Sequence, residues 1–269
     1  MKTLSLFSFY VLLSLFWSVH GQCENLNCLN INPLTDAQAS MIAEKIWKNE
    51  CSKKMEYLTC WNEGEEFASL GIGHFIWYPE NQPKVFKEAF PAMIAYLSRQ
   101  NISVPKWLCT AKHCPWSSRE AFYREIQSTQ MSDLRQFLYD TRKHQAQFIA
   151  AQLKSSFPTM LVNLSPEEKQ KVTTLFYQLF SEKKGFYALL DYSHFKGMGT
   201  EKSEKYQGQG WGLQQVLLAI PEPNDDLLEA FIQTAKKVLA ERVKNSPSER
   251  GEQRWLKGWT NRIDTYRNF

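Results

Sequence analysis

Acidic side chains gather just before a glycine turn in the stretch WNEGEEFASLGIGH, residues 61–74. Glu63, Glu65 and Glu66 lie within four positions of one another, where like charges repel. Another glutamate, Glu50, precedes them along the chain. When two neighbouring carboxyl groups have different pKa values, one can act as the acid and the other as the base. The pattern therefore indicates carboxyl chemistry beside the Gly-Ile-Gly-His turn.

Glu50 closes a predicted helix. Thr35 and Gln38 have the spacing of a capping box, and the helix that they begin continues to about Glu50. Ile42, Ile46 and Glu50 are four residues apart, so they share one face. Because this face is apolar and a helix ends in partial negative charge, we expect a raised pKa for Glu50. Such a carboxyl suits general acid catalysis; an exposed glutamate without a role is the alternative.

This order of residues resembles phage-type lysozymes and related endolysins. In that family the glutamate that closes the first helix is the catalytic acid, which the resemblance places at Glu50. The second carboxylate falls on Glu63, and Ser69 occupies the position of a catalytic hydroxyl residue. Gly71-Ile72-Gly73-His74 matches letter for letter, and the ending DTYRNF is also similar. The resemblance implies a lysozyme-like fold and glycoside hydrolysis, with Glu50 protonating the leaving oxygen.

Two departures leave the second carboxylate open. Glu63 replaces the usual aspartate, and Ser69 replaces the usual threonine. Glu65 and Glu66 are alternatives to Glu63 for this role. If residues 65–69 form a strand, Glu65 and Ser69 share a face while Glu66 points to the other, which favours Glu65. We interpret His74 as a hydrogen-bonding residue and not a proton carrier. Glu65 and His74 are also candidate substrate contacts.

A second glycine-rich segment, YQGQGWGLQQV, covers residues 206–216. Aromatic faces and amide groups suit a carbohydrate groove, because they stack on sugar rings and hydrogen-bond to hydroxyls. The alternative is a loop that enters an ordinary helix. The predicted substrate contacts in this segment are Tyr206, Gln207, Gln209 and Trp211.

Two further groups are interpreted as structural. A spacing of three or four residues predicts a packing face on the last helix, formed by Trp255, Trp259, Arg262 and Tyr266. Asp191 and His194 are three residues apart on a predicted helix, a spacing that allows a hydrogen-bonded pair. No serine or cysteine nucleophile motif accompanies this pair, so we do not expect a catalytic triad.

The elements that must position these residues are mainly α-helical, with an α+β arrangement. A small β-hairpin region is predicted at about 51–80, followed by a larger helical lobe at about 83–269. Pro91 is predicted to break or kink its helix. Residues 196–212 are rich in glycine and polar side chains and are predicted to form a long loop.

The first 21 residues have the pattern of a secretory signal peptide. Lys2 is followed by an apolar run, residues 4–17, and small residues precede the expected cleavage site. We therefore expect a secreted or periplasmic mature chain, residues 22–269, without stable membrane insertion after cleavage. Its about 248 residues fit a single lysozyme-like domain, and we expect a monomer.

Net charge bears on the class of partner, and the cysteines bear on disulfide formation and metal binding. Removal of Lys2 with the signal peptide lowers the formal net charge from +4 to +3. This mild excess gives no support to nucleic acid as a partner. Six cysteines behind a signal peptide predict disulfides, and local spacing suggests the pairs Cys23–Cys28, Cys51–Cys60 and Cys109–Cys114. No paired Cys-x-x-Cys or His-x-x-x-His spacing occurs, so we expect no metal site.

The sequence thus predicts a secreted glycoside hydrolase that acts on a β-linked amino-sugar polymer, peptidoglycan or a related glycan, without a cofactor. Glu50 is its expected general acid. One alternative is a lytic transglycosylase that uses Glu50 alone, since the substrate's acetamido group can replace the second carboxylate. Another alternative is a non-catalytic glycan-binding or host-interaction protein on a lysozyme-like scaffold.

Overall fold

Helices that follow one another along the chain make up most of the fold, so the prediction of a mainly α protein is confirmed. The computed structural model describes residues 34–222 and 225–269. The helices are α1 Asp36–Cys51, α2 Phe90–Arg99, α3 Lys106–Thr110, α4 Arg119–Arg124, α5 Thr129–Asp140, α6 Arg142–Leu161, α7 Pro166–Ser181, α8 Lys183–Lys196, α9 Leu213–Ala219, α10 Leu227–Asn245 and α11 Gln253–Asp264. The strands are β1 Thr59–Cys60, β2 Ala68–Leu70, β3 Phe75–Trp77, β4 Lys205–Tyr206 and β5 Gln209–Gly210. The predicted signal peptide and the pair Cys23–Cys28 lie outside the described residues.

The start of α1 follows the predicted capping box. The Thr35 hydroxyl accepts the backbone N–H of Gln38 at 3.2 Å, and the Gln38 side chain accepts that of Thr35 at 3.0 Å. Two otherwise unpaired N–H groups are thereby satisfied. The helix ends at Cys51, where Ser52 adopts a left-handed conformation with φ 49°. Glu50 therefore lies in the last turn of α1, where the chain leaves towards the sheet.

A three-stranded antiparallel sheet follows α1 in the order β1-β2-β3. Ser69, in the middle strand, pairs with Cys60 on one side and with Ile76 on the other. The strand β2 begins only at Ala68. The assumption that residues 65–69 form a strand is therefore wrong, and strand alternation does not place Glu65 and Ser69 on one face.

Two predicted elements differ from the structure for local reasons. Pro91 does not kink a helix; α2 begins at Phe90, so Pro91 lies in the first turn, where no N–H is needed. The predicted loop at 196–212 contains a short hairpin, β4–β5. Gln207 and Gly208, between the strands, have positive φ values of 51° and 78°. Two successive positive φ values suit the tight turn of a two-residue hairpin.

Packing between helices forms the core of the described part of the chain. Helix α1 packs against α6, α7 packs against α8 and α9, and α10 packs against α11. The core includes the fully buried rings of Trp61, Trp77, Tyr187 and Tyr266, and burying a large apolar side chain contributes about 1.5–3 kcal/mol. Within residues 34–222 and 225–269, no helix has the length and apolar character needed to cross a membrane.

Candidate active site

Glu50 lies where the end of α1 meets the β2–β3 turn and helix α11. Its side chain is 18% exposed, and its Oε1 atom is 2.6 Å from Nη1 of Arg262. The Nδ1 atom of His74 is 3.7 Å from Oε2 of Glu50, a distance longer than a hydrogen bond. The structure thus brings Glu50 to the glycine turn and adds a cation from the far end of the chain.

Arg262 is held in place by a buried carboxylate. Its Nε and Nη2 atoms each donate to Asp191 at 2.9 Å, and the Tyr266 hydroxyl donates to the same carboxylate at 2.8 Å. This bidentate contact fixes the orientation of the guanidinium plane. Arg262 lies on the predicted packing face with its side chain 11% exposed, but its contacts there are ion pairs with Asp191 and Glu50. Asp191 takes these partners, and not His194 as the spacing had suggested.

The packing face predicted for the last helix is confirmed only in part. Tyr266 is fully buried, whereas Trp255 is 39% exposed. A three-or-four spacing predicts which side chains share a face, but not which of them carry charge pairs. An arginine within an aromatic stripe was the only sequence signal for the contact between Arg262 and Glu50.

The pKa of Glu50 lies below its usual value of 4.5. Burial raises the pKa of this carboxyl, but the positive charge of Arg262 lowers it, as do His74 and His194 to a smaller extent. The predicted rise in pKa is therefore wrong. The prediction rested on burial and the helix end alone, and the guanidinium that outweighs them is distant in sequence.

The glycine turn is shaped by protein side chains that press against it. Gly71 has φ +76°, and a Cβ atom there would lie 2.5 Å from Oε1 of Gln145. The same Oε1 accepts the backbone N–H of Ile72 at 2.9 Å. On the other side, Nε2 of His194 lies 2.8 Å from the carbonyl oxygen of Gly73. These glycines allow α6 and α8 to approach the turn closely.

The ring of His74 is fixed between backbone and side-chain groups. Its Nε2 atom is 3.1 Å from the carbonyl oxygen of Tyr57. A carbonyl can only accept, so Nε2 carries the hydrogen and Nδ1 is turned towards Glu50. This geometry supports the interpretation of His74 as a hydrogen-bonding residue. Its contact with a substrate stays a prediction.

Glu65 is a half-buried carboxyl in the turn region before β2. It accepts a hydrogen bond from the Asn62 side chain at 3.1 Å, and its backbone carbonyl accepts from the Trp61 ring at 2.7 Å. Burial raises the pKa of Glu65, although Asn62 and His74 act against the rise. The positive charge of His74 lowers the pKa of both Glu50 and Glu65, but their net pKa shifts have opposite directions.

The other two catalytic candidates have contrasting surroundings. Glu63 is exposed in the turn between β1 and β2, whereas Ser69 is buried within β2. Glu50 is the predicted catalytic residue that contacts charged side chains near the glycine turn, namely Arg262 and His74. The roles of Glu63 and Ser69 stay predictions.

The candidate contacts of the second glycine-rich segment face α10 and the loop before α11. The Tyr206 hydroxyl donates to Glu252 at 2.8 Å. Gln207 donates to the backbone oxygen of Asn245 at 3.3 Å, and the Asn245 side chain donates to Gln209 at 2.9 Å. These polar groups therefore already have partners within the protein. Their role as substrate contacts stays a prediction.

Trp211, the fourth candidate in that segment, is almost fully buried. The guanidinium of Arg242 lies 4.0 Å from its ring centroid, and the Tyr206 ring lies 4.5 Å away. Trp211 thus belongs to an aromatic and cationic cluster with Tyr206 and Arg242.

The described cysteines are free thiols, so the predicted pairs Cys51–Cys60 and Cys109–Cys114 do not form in this structure. Cys51 Sγ lies 3.9 Å from the carbonyl oxygen of Gly71, and that of Cys60 lies 3.5 Å from the oxygen of Ser69. Each of these thiols faces a backbone acceptor and not a second sulfur. Burial raises the pKa of Cys60 and of Cys114 to about 12, which makes these thiols unreactive near neutral pH.

Cys51 also lies 3.6 Å from Nε2 of His74, an arrangement that resembles a nucleophilic pair. Burial, followed by the charge of Glu50, strongly raises the pKa of this thiol. A fully buried thiol that keeps its proton cannot act as a nucleophile. Within the described ranges, no cluster of His, Cys, Asp or Glu could hold a metal ion.

No family model, curated protein or solved structure matches this chain. The resemblance to phage-type lysozymes therefore stays a prediction, carried by the residues around Glu50 and the glycine turn.

Proposed function

We propose that this protein is a lysozyme-like glycoside hydrolase that cleaves a β-linked amino-sugar polymer, peptidoglycan or a related glycan, with Glu50 as its essential carboxyl. The predicted signal peptide at 1–21 supports action outside the cytoplasm, in a secreted or periplasmic monomer. The observation that carries the proposal is the position of Glu50 between the glycine turn and Arg262. Perturbed carboxyls with fixed charged partners concentrate at functional sites.

The chemistry requires one carboxyl with a proton and one without. Protonation of the glycosidic oxygen lets the bond to the anomeric carbon break, and water then adds to that carbon. The resemblance assigns the proton to Glu50. Because Arg262 lowers the pKa of Glu50, this assignment predicts activity that falls as pH rises above the acidic range.

The raised pKa of Glu65 favours a second assignment within the same function. In the free protein Glu65 keeps its proton to higher pH than Glu50 does. Glu65 would then be the acid, and the ionised Glu50 would stabilise the positive charge that develops on the sugar ring. Activity would in that case extend to higher pH, and Glu50 would still be essential.

One observation also favours the non-catalytic alternative. Arg262 neutralises the Glu50 carboxylate at 2.6 Å, so the free protein presents no ready acid proton at this position. A protein of this kind would bind glycan without cleaving it.

The test is release of soluble fragments from purified peptidoglycan by the mature chain and by Glu50→Gln, with pH varied. We expect loss of at least about a thousandfold in Glu50→Gln, because a carboxyl that takes part in the chemical step is removed. Glu80→Gln serves as the matched control, since Glu80 is an exposed glutamate outside the acidic stretch. Glu65→Gln distinguishes the two acid assignments by its effect on the upper pH limit.

The products decide between the candidate functions. New reducing ends would identify a hydrolase, whereas anhydro sugar ends would identify a transglycosylase. Equal glycan binding by both proteins with no fragments from either would identify a binding protein. A fully active Glu50→Gln variant would contradict the proposal.

A further inference from the structure

A buried lysine without a carboxylate partner lies next to the carboxyl site. Lys196, the last residue of α8, is only 7% exposed. Its Nζ atom is 3.4 Å from the ring centroid of Trp259 and 3.8 Å from that of Phe195. Within the described part of the chain, no carboxylate oxygen lies within ion-pair distance of Lys196. Aromatic faces attract a cation, but they do not supply an opposite charge.

The neighbouring carboxylates are already paired with arginines. Glu252 accepts two hydrogen bonds of 2.8 Å from Arg242. Glu50 and Asp191 both contact Arg262. Lys196 is therefore the cation of this cluster that lacks an anion. A charge buried without a partner is unfavourable, and binding of an anion removes that cost.

The electrostatic surroundings of Lys196 agree with this geometry. Burial lowers its pKa well below 10.5, and the charges of Arg242 and Arg262 lower it further. Glu252 and Glu50 act in the opposite direction without compensating for these effects. The ammonium form would thus gain from one added negative charge.

The position of Lys196 relates it to the glycan site. Arg262 contacts Glu50 at 2.6 Å, and its guanidinium lies 4.1 Å from the centroid of the Phe195 ring. Phe195 and Trp259 each keep part of their surface exposed. Aromatic faces of this kind stack on sugar rings. Because Nζ of Lys196 lies over both rings, an anion at Lys196 would be beside their exposed parts.

We propose that Lys196 binds the free carboxylate of a peptide-free acidic sugar of the polymer, near the carboxyl site of Glu50. This inference rests on the proposed function and names the feature of the substrate that the site selects. One unpaired ammonium matches the single charge of a carboxylate. Lys196 is on this view a specificity residue and not a participant in bond cleavage.

The test is calorimetric binding of two tetrasaccharides in the Glu50→Gln background, which prevents turnover. One ligand is the tetramer of alternating N-acetylglucosamine and N-acetylmuramic acid, and the other is the same tetramer with its carboxyls amidated. We expect Lys196→Met to weaken binding of the acidic tetramer about tenfold and leave the amidated one nearly unchanged. Lys257→Met removes a charge from an exposed position on α11, and we expect it to change neither affinity.

A second measurement needs no change at Lys196. If a carboxylate binds there, the pKa of the lysine rises towards 10.5, so binding takes up protons from solution at a pH between the free and bound pKa values, which a pH series covers. Calorimetry in buffers of different ionisation enthalpy measures this uptake. We expect uptake with the acidic tetramer and none with the amidated one.

The outcomes separate this inference from the proposed function. If neither tetramer binds to any of the proteins, the proposed function fails. If both bind, but Lys196→Met weakens them equally and no protons are taken up, the carboxylate role of Lys196 is overturned while glycan binding stands.

Discussion

At the level of single residues, charge pairs control the ionisation of the candidate site. Burial raises the pKa of Glu50, but the charge of Arg262, with smaller contributions from His74 and His194, lowers it, so the net shift is downward. Glu65, whose side chain accepts a hydrogen bond from the neutral amide of Asn62, responds to burial and has a raised pKa. Glu50 and Glu65 thus have pKa shifts of opposite direction because different groups lie next to their carboxyls.

Arg262→Lys should raise the pKa of Glu50. A lysine keeps the positive charge, but it cannot make a bidentate contact with Asp191 and also contact Glu50. The carboxyl pKa of Glu50, followed by carbon NMR, is expected to increase, and the pH limit of activity moves upwards if Glu50 is the acid. Arg254→Lys, on the same helix, is the control. An unchanged Glu50 pKa in Arg262→Lys would argue against control by this arginine.

Thiol accessibility provides a second prediction for single residues. We expect an alkylating reagent to modify Cys109 in the native protein, because this thiol is exposed, and to leave Cys51 and Cys114 unmodified until the chain unfolds. Peptide mapping by mass spectrometry measures each site separately. Recovery of a peptide linked through Cys51 and Cys60 would show that the sequence-based pairing was right after all.

At the level of elements, the β2–β3 turn depends on glycine for two separate reasons. Gly71 needs a positive φ, and it also lies against the Gln145 side chain. Gln145 cannot easily move away, because its amide nitrogen donates to the Leu138 carbonyl at 2.7 Å and to the Thr141 hydroxyl at 2.9 Å. The turn is therefore fixed to α6 by a buried polar contact.

Gly71→Ala should destabilise the protein more than Gly64→Ala does. Gly64 has a similar φ of +79°, but nothing lies within 4 Å of an added Cβ atom there. We expect a loss of about 1 kcal/mol in unfolding free energy for Gly64→Ala, from backbone strain alone. For Gly71→Ala we expect about 3 kcal/mol, because a steric clash is added. Equal losses in denaturant unfolding would show that the contact with Gln145 contributes nothing.

At the level of the whole molecule, buried carboxylates connect helices that are distant in sequence. Asp191 joins α8 to α11 through Arg262, and Glu252 joins α10 to the β4–β5 hairpin through Arg242 and Tyr206. Breaking such a pair leaves an uncompensated buried charge, which is more costly than losing an exposed one. These contacts hold the C-terminal helices beside the carboxyl site.

Glu252→Gln should lower the unfolding free energy by about 3 kcal/mol at pH 7. Glu241 is an exposed glutamate that lies 3.4 Å from Lys244; Glu241→Gln is the control and should change the unfolding free energy by less than about 0.5 kcal/mol. Denaturant unfolding measures both. A loss no larger than that of the control would show that the Glu252 contacts do not stabilise the fold.

We also expect the difference in unfolding free energy between wild type and Glu252→Gln to depend on pH. Burial raises the pKa of Glu252, but hydrogen bonds from Arg242 and Tyr206 bring it below the usual 4.5. A carboxyl with a lowered folded pKa stabilises fully above about pH 4.5 and loses this effect as pH falls through the folded value. The difference between wild type and Glu252→Gln should therefore shrink below pH 4.5. A constant difference down to pH 2 would contradict this assignment.

Local sequence signals determined the elements around the site. The Thr35–Gln38 capping box, the position of Glu50 at a helix end and the β region after it all follow from short-range rules, because hydrogen bonds between near neighbours decide them. The same rules missed the β4–β5 hairpin, since glutamine at a positive φ is not a typical turn signal.

Only the tertiary structure decided the charges of the site. Glu50 and Arg262 are separated by most of the chain, and Lys196 and Glu252 come from further elements. An ionisation state depends on every charge within a few ångströms, and such proximity is set by helix packing. The sequence by itself therefore determined which carboxyls could act. Side-chain contacts of α8 and α11 decided the direction of the Glu50 pKa shift and, within the described residues, left Lys196 without a carboxylate partner.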